Sequence, residues 1–257
     1  MGDTILYEVQ NGVATITLNR PDKLNAFTHE LNHDVRKAVK QASSDEDVRT
    51  IVITGAGRAF CSGQDLSGVD DSMDHGEVLR NSYGPMVKEI DRCEKPIIAA
   101  VNGVAAGAGF SLALACDFRL ASEKASFIEA FIHVGLIPDA GNLFNLPKIV
   151  GHAKALELAI LGEKISAQQA QELHLVTKVI PLEEWEISVT SFAERLASMP
   201  TKAIGLIKRS LKASWQMELH DYLEREAYGQ RIAGLTKDHH EGVQAFLDKR
   251  KPEFQGQ

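Results

Sequence analysis

Twice in this chain a short run of apolar, strand-forming residues ends at a glycine and passes into a turn built from small residues. The first is TIVITG followed by AGRAFCSGQDL, residues 50–66; the second is PIIAAVNG followed by VAAGAGFSLA, residues 96–113. Continuous apolar runs of this length, bounded by glycine, suit strands buried on both faces. Each is followed by helical spacing: from about Ser72 to Arg92 after the first, and through SLALACD after the second. A strand-like FRLAS (118–122) comes next. Strands that alternate with helices predict an α/β core.

The N-terminus adds a β-hairpin. ILYEVQ (5–10) and VATITLN (13–19) flank Asn11-Gly12, a strong two-residue turn signal. From Thr28 a helix is expected, with Phe27, Leu31, Val35, Ala38 and Val39 on one face. Beyond about His152 the pattern is helical apart from LVTKVIP (175–181). No Gly/Ser or Pro linker divides the 257 residues and no fixed-period repeat is visible. The expected organisation is an α/β core over 1–195 with a helical C-terminal region over 196–257.

Charge and motif content exclude several functions. The formal net charge is −7, which offers no broad basic field for nucleic acid, so an anionic ligand needs a local cluster of Lys or Arg. MGDTILYEVQ has no signal-peptide pattern, no apolar stretch approaches a membrane span, and Cys61, Cys93 and Cys116 form no C-x-x-C pair. These features predict a cytoplasmic protein with reduced, core-type thiols and no membrane partner.

HELNH (29–33) matches the H-E-x-x-H zinc pattern, but on the expected helix His29 and His33 lie opposite the apolar face. A polar helix surface is therefore the reading taken, with zinc hydrolysis as its rival and no metal expected. NGVAAGAGFSLA has the context of a dinucleotide fingerprint, yet Leu112 stands where the third glycine is needed, and no G-K-S/T follows. What the two small-residue turns do allow is close approach of a ligand to backbone N–H groups. Two such donors aimed at one point make an oxyanion hole; tight packing is the alternative use of the same glycines.

RPDKLNAF, GRAFCSGQDL, NGVAAGAGFSLALACD and GLIPDAGN stand in the order and spacing of the crotonase (enoyl-CoA hydratase/isomerase) superfamily, which the chain resembles from end to end, including EGVQAFLDKRKPEF near the C-terminus. The resemblance implies a spiral of ββα units, a C-terminal helical region that forms homotrimers or dimers of trimers, and a coenzyme A thioester as substrate with no further cofactor. It implies oxyanion donors at the N–H groups of Gln64 and Ala108. It places Lys23, Leu24, Ala26, Asp65 and Leu66 at the adenine end of coenzyme A, with Phe246 and Lys249 from the C-terminal helix, of the same or a neighbouring subunit. Phe131 belongs to the substrate pocket.

The departures from the family carry the chemistry. Its hydratases use two glutamates, at positions held here by Ser111 and Phe131. Glu129 lies two residues from Phe131, where a local shift of the chain could bring it into that place. Asp139 follows Ile137-Pro138, where hydratases commonly have glycine; members with Asp here resemble ring-1,2-epoxyphenylacetyl-CoA isomerases, and some Δ3,Δ2-enoyl-CoA isomerases have a comparable single acid. One base suffices to move a proton between two carbons of a stabilised enolate, in a pocket expected to include Phe131, Leu136 and Phe144. From position alone, Asp139 also suits the N-cap of a short helix. The expected function is acyl-CoA isomerisation; enoyl-CoA hydration and non-catalytic acyl-CoA binding are the alternatives.

Overall fold

The computed structural model describes residues 2–68 and 73–257. In chain order it runs β1 (Ile5–Gln10), β2 (Val13–Leu18), α1 (His29–Ser44), β3 (Thr50–Gly55), β4 (Ala59–Cys61), α2 (His75–Val78), α3 (Gly84–Arg92), β5 (Ile97–Val101), β6 (Val104–Ala106), α4 (Ala108–Ala115), β7 (Phe118–Ser122) and β8 (Ser126–Ile128). There follow α5 (Asn142–Val150), α6 (His152–Leu161), β9 (Ile165–Ser166), α7 (Ala167–Glu172), β10 (Lys178–Ile180), α8 (Trp185–Ala197), α9 (Thr201–Ser214), α10 (Leu219–Gly234) and α11 (Lys237–Leu247).

Three successive units give one strand to each of two sheets and then a helix. β3, β5 and β7 are parallel neighbours in a six-stranded sheet of order β1-β2-β3-β5-β7-β10, while β4, β6 and β8 are parallel neighbours in a second sheet closed by β9. This is the expected spiral of ββα units. The hairpin opens it, with Ile5 opposite Leu18 and Gln10 opposite Val13. Alternation in β2 buries Ala14, Ile16 and Leu18 under α1, whose Leu31, Val35, Ala38, Val39 and Ala42 complete that core. Thr28 caps α1, its hydroxyl accepting from the Leu31 N–H at 3.2 Å.

α8 covers the other face of the large sheet, where Ala193, Leu196 and Ala197 meet Val13, Val52, Ile98 and Leu120. The last three helices lie outside this core. Arg49 fastens them, donating to the carbonyls of Met199 and Phe254 and to the Thr201 hydroxyl. Lys208 on α9 adds an ion pair with Asp117 at 2.6 Å.

Several expected elements differ in extent. The strand expected over 96–103 ends at Val101 and resumes in the second sheet as β6, and the one expected over 175–181 contracts to β10. The helix expected from about Ser72 is broken: Ser72 lies outside the described residues, and a π-helical turn at Leu79–Tyr83 separates α2 from α3. A π turn shifts the helical phase by a fraction of a turn and is often found beside functional sites. Here it seats Tyr83 in the interior.

Candidate active site

The first small-residue turn is held by the segment that precedes α1. Leu24 and Asn25 adopt left-handed φ values of 50° and 55°, a conformation in which Asn is favoured over most side chains. The fully buried Asn25 amide donates to the carbonyls of Ala56 and Ala59, both at 2.9 Å, and its Oδ1 accepts from the Arg20 N–H at 2.9 Å. Phe27 then brackets the turn after β4: its N–H donates to the Gly63 carbonyl at 2.7 Å, and its carbonyl accepts from the Asp65 N–H at 2.9 Å. Gln64 is thereby fixed between two backbone bonds. Its side-chain Oε1 accepts from the Tyr83 hydroxyl, and the Tyr83 ring packs edge-on against Phe27 at 5.5 Å.

The second turn begins at Gly107, φ 51°, whose N–H donates to the Ile128 carbonyl at 3.0 Å. α4 starts at the next residue, so the Ala108 amide belongs to the first helical turn, where N–H groups have no intrahelical partner. Gly109 lets this helix lie directly on β4: a β-carbon there would sit 2.2 Å from the Cys61 carbonyl oxygen. The same contact brings the turns together, since a β-carbon at Gly63 would lie 3.5 Å from the Ala108 nitrogen. At Gly109 and Gly63 the absence of a β-carbon thus serves tight packing.

Gln64 and Ala108 both line one apolar cavity of about 610 Å³, walled by Leu66, Val87, Phe131, Val134, Leu136 and Ile137 among others. Asp139 is the one carboxylate among its described lining residues. The N-cap alternative for Asp139 is overturned. α5 is capped by Gly141 in a left-handed conformation with no side-chain bond, and Asp139 Oδ1 is buried with no hydrogen-bond partner among the described residues. Burial in apolar surroundings raises the Asp139 pKa to about 6, opposed by the charge of His75. The turn is strained beside it: Ala140 takes a φ of 50°, which costs an L-residue about 1–2 kcal/mol. Strain of this kind clusters at functional positions.

One expected wall is absent. Phe144 does not line the cavity; it lies on α5, 57% exposed, with Lys148 Nζ 3.1 Å from its ring centroid. The helix starts three residues after Asp139 and turns Phe144 to the outer surface, whereas Phe131 and Leu136 remain in the wall. Ser111 is buried within α4, and Phe131 lines the cavity while Glu129 does not. Glu129 lies behind the wall, 2% exposed, its Oε1 accepting from the Asn142 amide at 2.9 Å.

Of the residues associated with coenzyme A, Leu66 reaches the cavity rim. Lys23 and Leu24 lie on the segment beside the first turn, the Leu24 carbonyl accepting from the Ser62 N–H at 3.0 Å. Ala26 and Asp65 are joined through Arg20, which donates to the Ala26 carbonyl and to Asp65 Oδ2 at 2.9 Å. Phe246 on α11, 82% exposed, and Lys249 just beyond it are not brought to the cavity within this chain. His29 and His33 project from the outer face of α1, and no group of three or more possible metal ligands occurs among the described residues. All three cysteines are buried; burial pushes the Cys61 and Cys116 thiols up to about 12, which leaves them inert as nucleophiles. No described helix is long and apolar enough to cross a membrane.

Tyr83, His75, Asn142 and the burial of Glu129 were not legible in the sequence. The nearest signal was the run of small and polar residues after Asp139, which brings Asn142 to the buried face of α5.

The spiral of ββα units, with two backbone turns converging on an apolar cavity, has the architecture of the crotonase fold. Residues 8–257 match the family described as enoyl-CoA hydratase/isomerase, and the chain belongs to it. It is 42% identical to the 1,2-epoxyphenylacetyl-CoA isomerase of Escherichia coli, with 100% of each chain covered. It is also 42% identical to a probable enoyl-CoA hydratase of Rhodobacter capsulatus, with 98% of each covered. Among solved structures, a putative enoyl-CoA hydratase/isomerase from Mycobacterium abscessus superposes with a TM-score of 0.94 at 36% identity, covering 98% of this chain and 100% of that one.

Proposed function

We propose that the protein is an acyl-CoA isomerase that moves a proton through a thioester enolate. The observation that carries this reading is the isolation of Asp139: a desolvated carboxyl, raised to about 6, in a cavity whose described lining holds no second acid. The Gln64 and Ala108 N–H groups would hold the thioester oxygen as it gains negative charge. Asp139 would take the α- or γ-proton from one carbon, the C–H electron pair passing into the enolate, and return that proton to another carbon. A base near 6 is largely ionised at neutral pH yet still has appreciable proton affinity. The substrate is an enoyl-CoA or a ring-1,2-epoxyphenylacetyl-CoA, the latter suggested by the Escherichia coli relative's name.

Enoyl-CoA hydration is the second reading, favoured by the Rhodobacter relative's name and by the carboxyl of Glu129 close behind Ser111. Water addition in the family's manner needs two acids facing the substrate, and Glu129 faces Asn142 instead. The deciding experiment offers crotonyl-CoA, a 3-enoyl-CoA and an epoxidised phenylacetyl-CoA to the protein and follows each product. Hydration as fast as double-bond migration would overturn the isomerase reading.

Coenzyme A binding by Lys23, Leu24, Ala26, Asp65 and Leu66, with Phe246 and Lys249 from a neighbouring subunit, belongs to the same proposal, as does a homotrimer or a dimer of trimers. The exposed Trp215, Leu219, Leu223, Leu235, Phe246 and Leu247 of the C-terminal helices support an assembled state. Lys249→Ala should weaken coenzyme A binding and leave the chemical step unchanged.

A further inference from the structure

Behind the cavity wall, three polar side chains from three parts of the chain meet. Asn142, fully buried in the first turn of α5, donates from Nδ2 to Glu129 Oε1 at 2.9 Å and to Ser111 Oγ at 3.2 Å. Ser111 Oγ in turn donates to the Gly107 carbonyl at 3.2 Å, one residue from the proposed oxyanion donor Ala108. The Asn142 N–H donates to the Asp139 carbonyl at 2.9 Å. One buried amide therefore ties together the Asp139 turn, the Gly107-Ala108 turn and Glu129.

The cluster is rich in acceptors. Glu129 Oε2, Asp139 Oδ1 and Asn142 Oδ1 are each buried with no hydrogen-bond partner among the described residues. Two carboxylates left in this state beside an acceptor amide oxygen carry a large electrostatic penalty, which protonation of one carboxyl relieves. When two acids interact in low dielectric, the first to ionise raises the pKa of the second, and the pair titrates as a unit.

We propose that Glu129 is a positioning residue for Asp139: a second carboxyl, walled off from substrate, whose protonation state sets the basicity of the catalytic acid and whose bond to Asn142 holds the turn that carries it. The inference rests on the reading of Asp139 as the base. Its charge logic is consistent with the environments: burial lifts Glu129 to about 7, the Asn142 bond opposes this, and the Asp139 charge adds to it. Asp139 ionises first, its charge adding to the burial that delays Glu129, so that Glu129 loses its proton only around neutrality; that second ionisation then strengthens Asp139 as a base. Other titratable groups near the pair are His75 on α2, whose charge opposes the rise at Asp139, the Tyr83 phenol on the π turn, raised by burial, Asp139 and Cys61, and Lys88 on α3, which lines the same cavity as Asp139. Ser111 from α4 and Asn142 from α5 are uncharged. His133, on the 3-10 turn after Glu129, is engaged with the Gly162 carbonyl at 2.9 Å.

The test has two arms. In the first, the side-chain carboxyl carbon of Glu129 is titrated by NMR in the full-length protein and in Asp139→Asn. Its midpoint should fall by about half a pH unit or more once the neighbouring charge is gone; an unmoved midpoint overturns the coupling, whatever the enzyme's substrate proves to be. In the second, Glu129→Gln keeps the acceptor for Asn142 and removes the titration. The parent's rate of α-proton exchange should rise in two steps with pH, near 6 and near 7, and the variant should keep only the lower step with KM within about twofold. A variant whose two-step profile matches the parent's, or whose rate falls uniformly with the profile intact, overturns the positioning role. Failure of the isomerase reading shows separately, as parental turnover in Asp139→Asn.

Discussion

Asp65 ends the first small-residue turn and Asp139 lines the cavity that this turn faces, and their surroundings push them in opposite directions. Asp65 follows the first turn and is saturated with donors: the Ser67 hydroxyl at 2.6 Å, Arg20 at 2.9 Å and the Ser67 N–H at 3.1 Å hold its carboxyl down to about 2. Asp139 faces the cavity with one oxygen unpartnered and is lifted to about 6 by desolvation. Both follow a glycine-rich or proline-containing turn, and the residue type is the same. The number of donors pointed at each carboxylate separates an acid held ionised from one with appreciable affinity for a proton. A base near 2 has too little affinity for a proton to lift one from carbon.

The sharpest way to break that contrast is Asp139→Asn. Asn keeps the shape and cannot accept the substrate proton, so turnover should fall by roughly 10²–10⁴-fold, the usual contribution of general acid–base catalysis. Acyl-CoA binding should persist, because the proposed oxyanion donors are backbone groups. Proton exchange at the α-carbon in deuterated water, followed by NMR, reads the loss directly. Near-parental exchange would leave the catalytic base unassigned.

Acidity gives the next effect in size. As the proposed base, Asp139 would work ionised, and its ionised fraction falls as pH drops through about 6. The kcat of the parent should therefore decline by about tenfold per pH unit below that point. Asp65→Asn should leave this limb where it is. A limb that moves in Asp65→Asn would mean that the two acids are not separate in function.

How far the sequence reached can be judged at these same residues. The N-terminal hairpin, α1 and the two small-residue turns were legible because their patterns are local: alternation, helical spacing, and glycine after a buried strand. The second sheet was not, since β4, β6 and β8 are three residues each, too short for a periodic signal. Nor did the ββα units announce themselves as a repeat, because β3, β5 and β7 start at Thr50, Ile97 and Phe118, unevenly spaced. The resemblance to a family placed Asp139, Gln64 and Ala108; whether Asp139 capped α5 turned on Gly141, whose left-handed conformation starts the helix two residues later. Phe144 was misplaced for the same reason. The Tyr83–Gln64 bond and the Glu129–Asn142–Ser111 cluster join residues 13 to 31 apart through tertiary packing, which no spacing rule anticipates.

Stability should separate the aspartates once more, by a smaller margin. Asp65→Asn removes charge-assisted bonds to Arg20 and Ser67 and should cost about 1–3 kcal/mol near neutral pH, with turnover changed only a few-fold. Because the folded-state pKa of Asp65 is depressed, its contribution is present above the ordinary carboxylate range and is lost as pH falls through about 2. Differential scanning calorimetry across pH would show the deficit of the variant shrinking only in strong acid.

For Asp139 the sign reverses, and the effect is the least in size. Its pKa is raised on folding, so the native state favours the protonated acid. Relative to an uncharged side chain, the parent is unpenalised below about 4 and carries the full cost of a desolvated carboxylate above about 6. A tenfold change in proton affinity between the folded and unfolded chain corresponds to about 1.4 kcal/mol, which solvent screening reduces. Asp139→Asn carries no such cost, so it should melt above the parent at pH 8, by the equivalent of about 1–2 kcal/mol, and together with it near pH 4. Melting curves of the two proteins at those two pH values decide the matter. A variant less stable than the parent at pH 8 would mean that the Asp139 carboxylate is held by donors after all, as Asp65 is, and the contrast between the two acids would be lost.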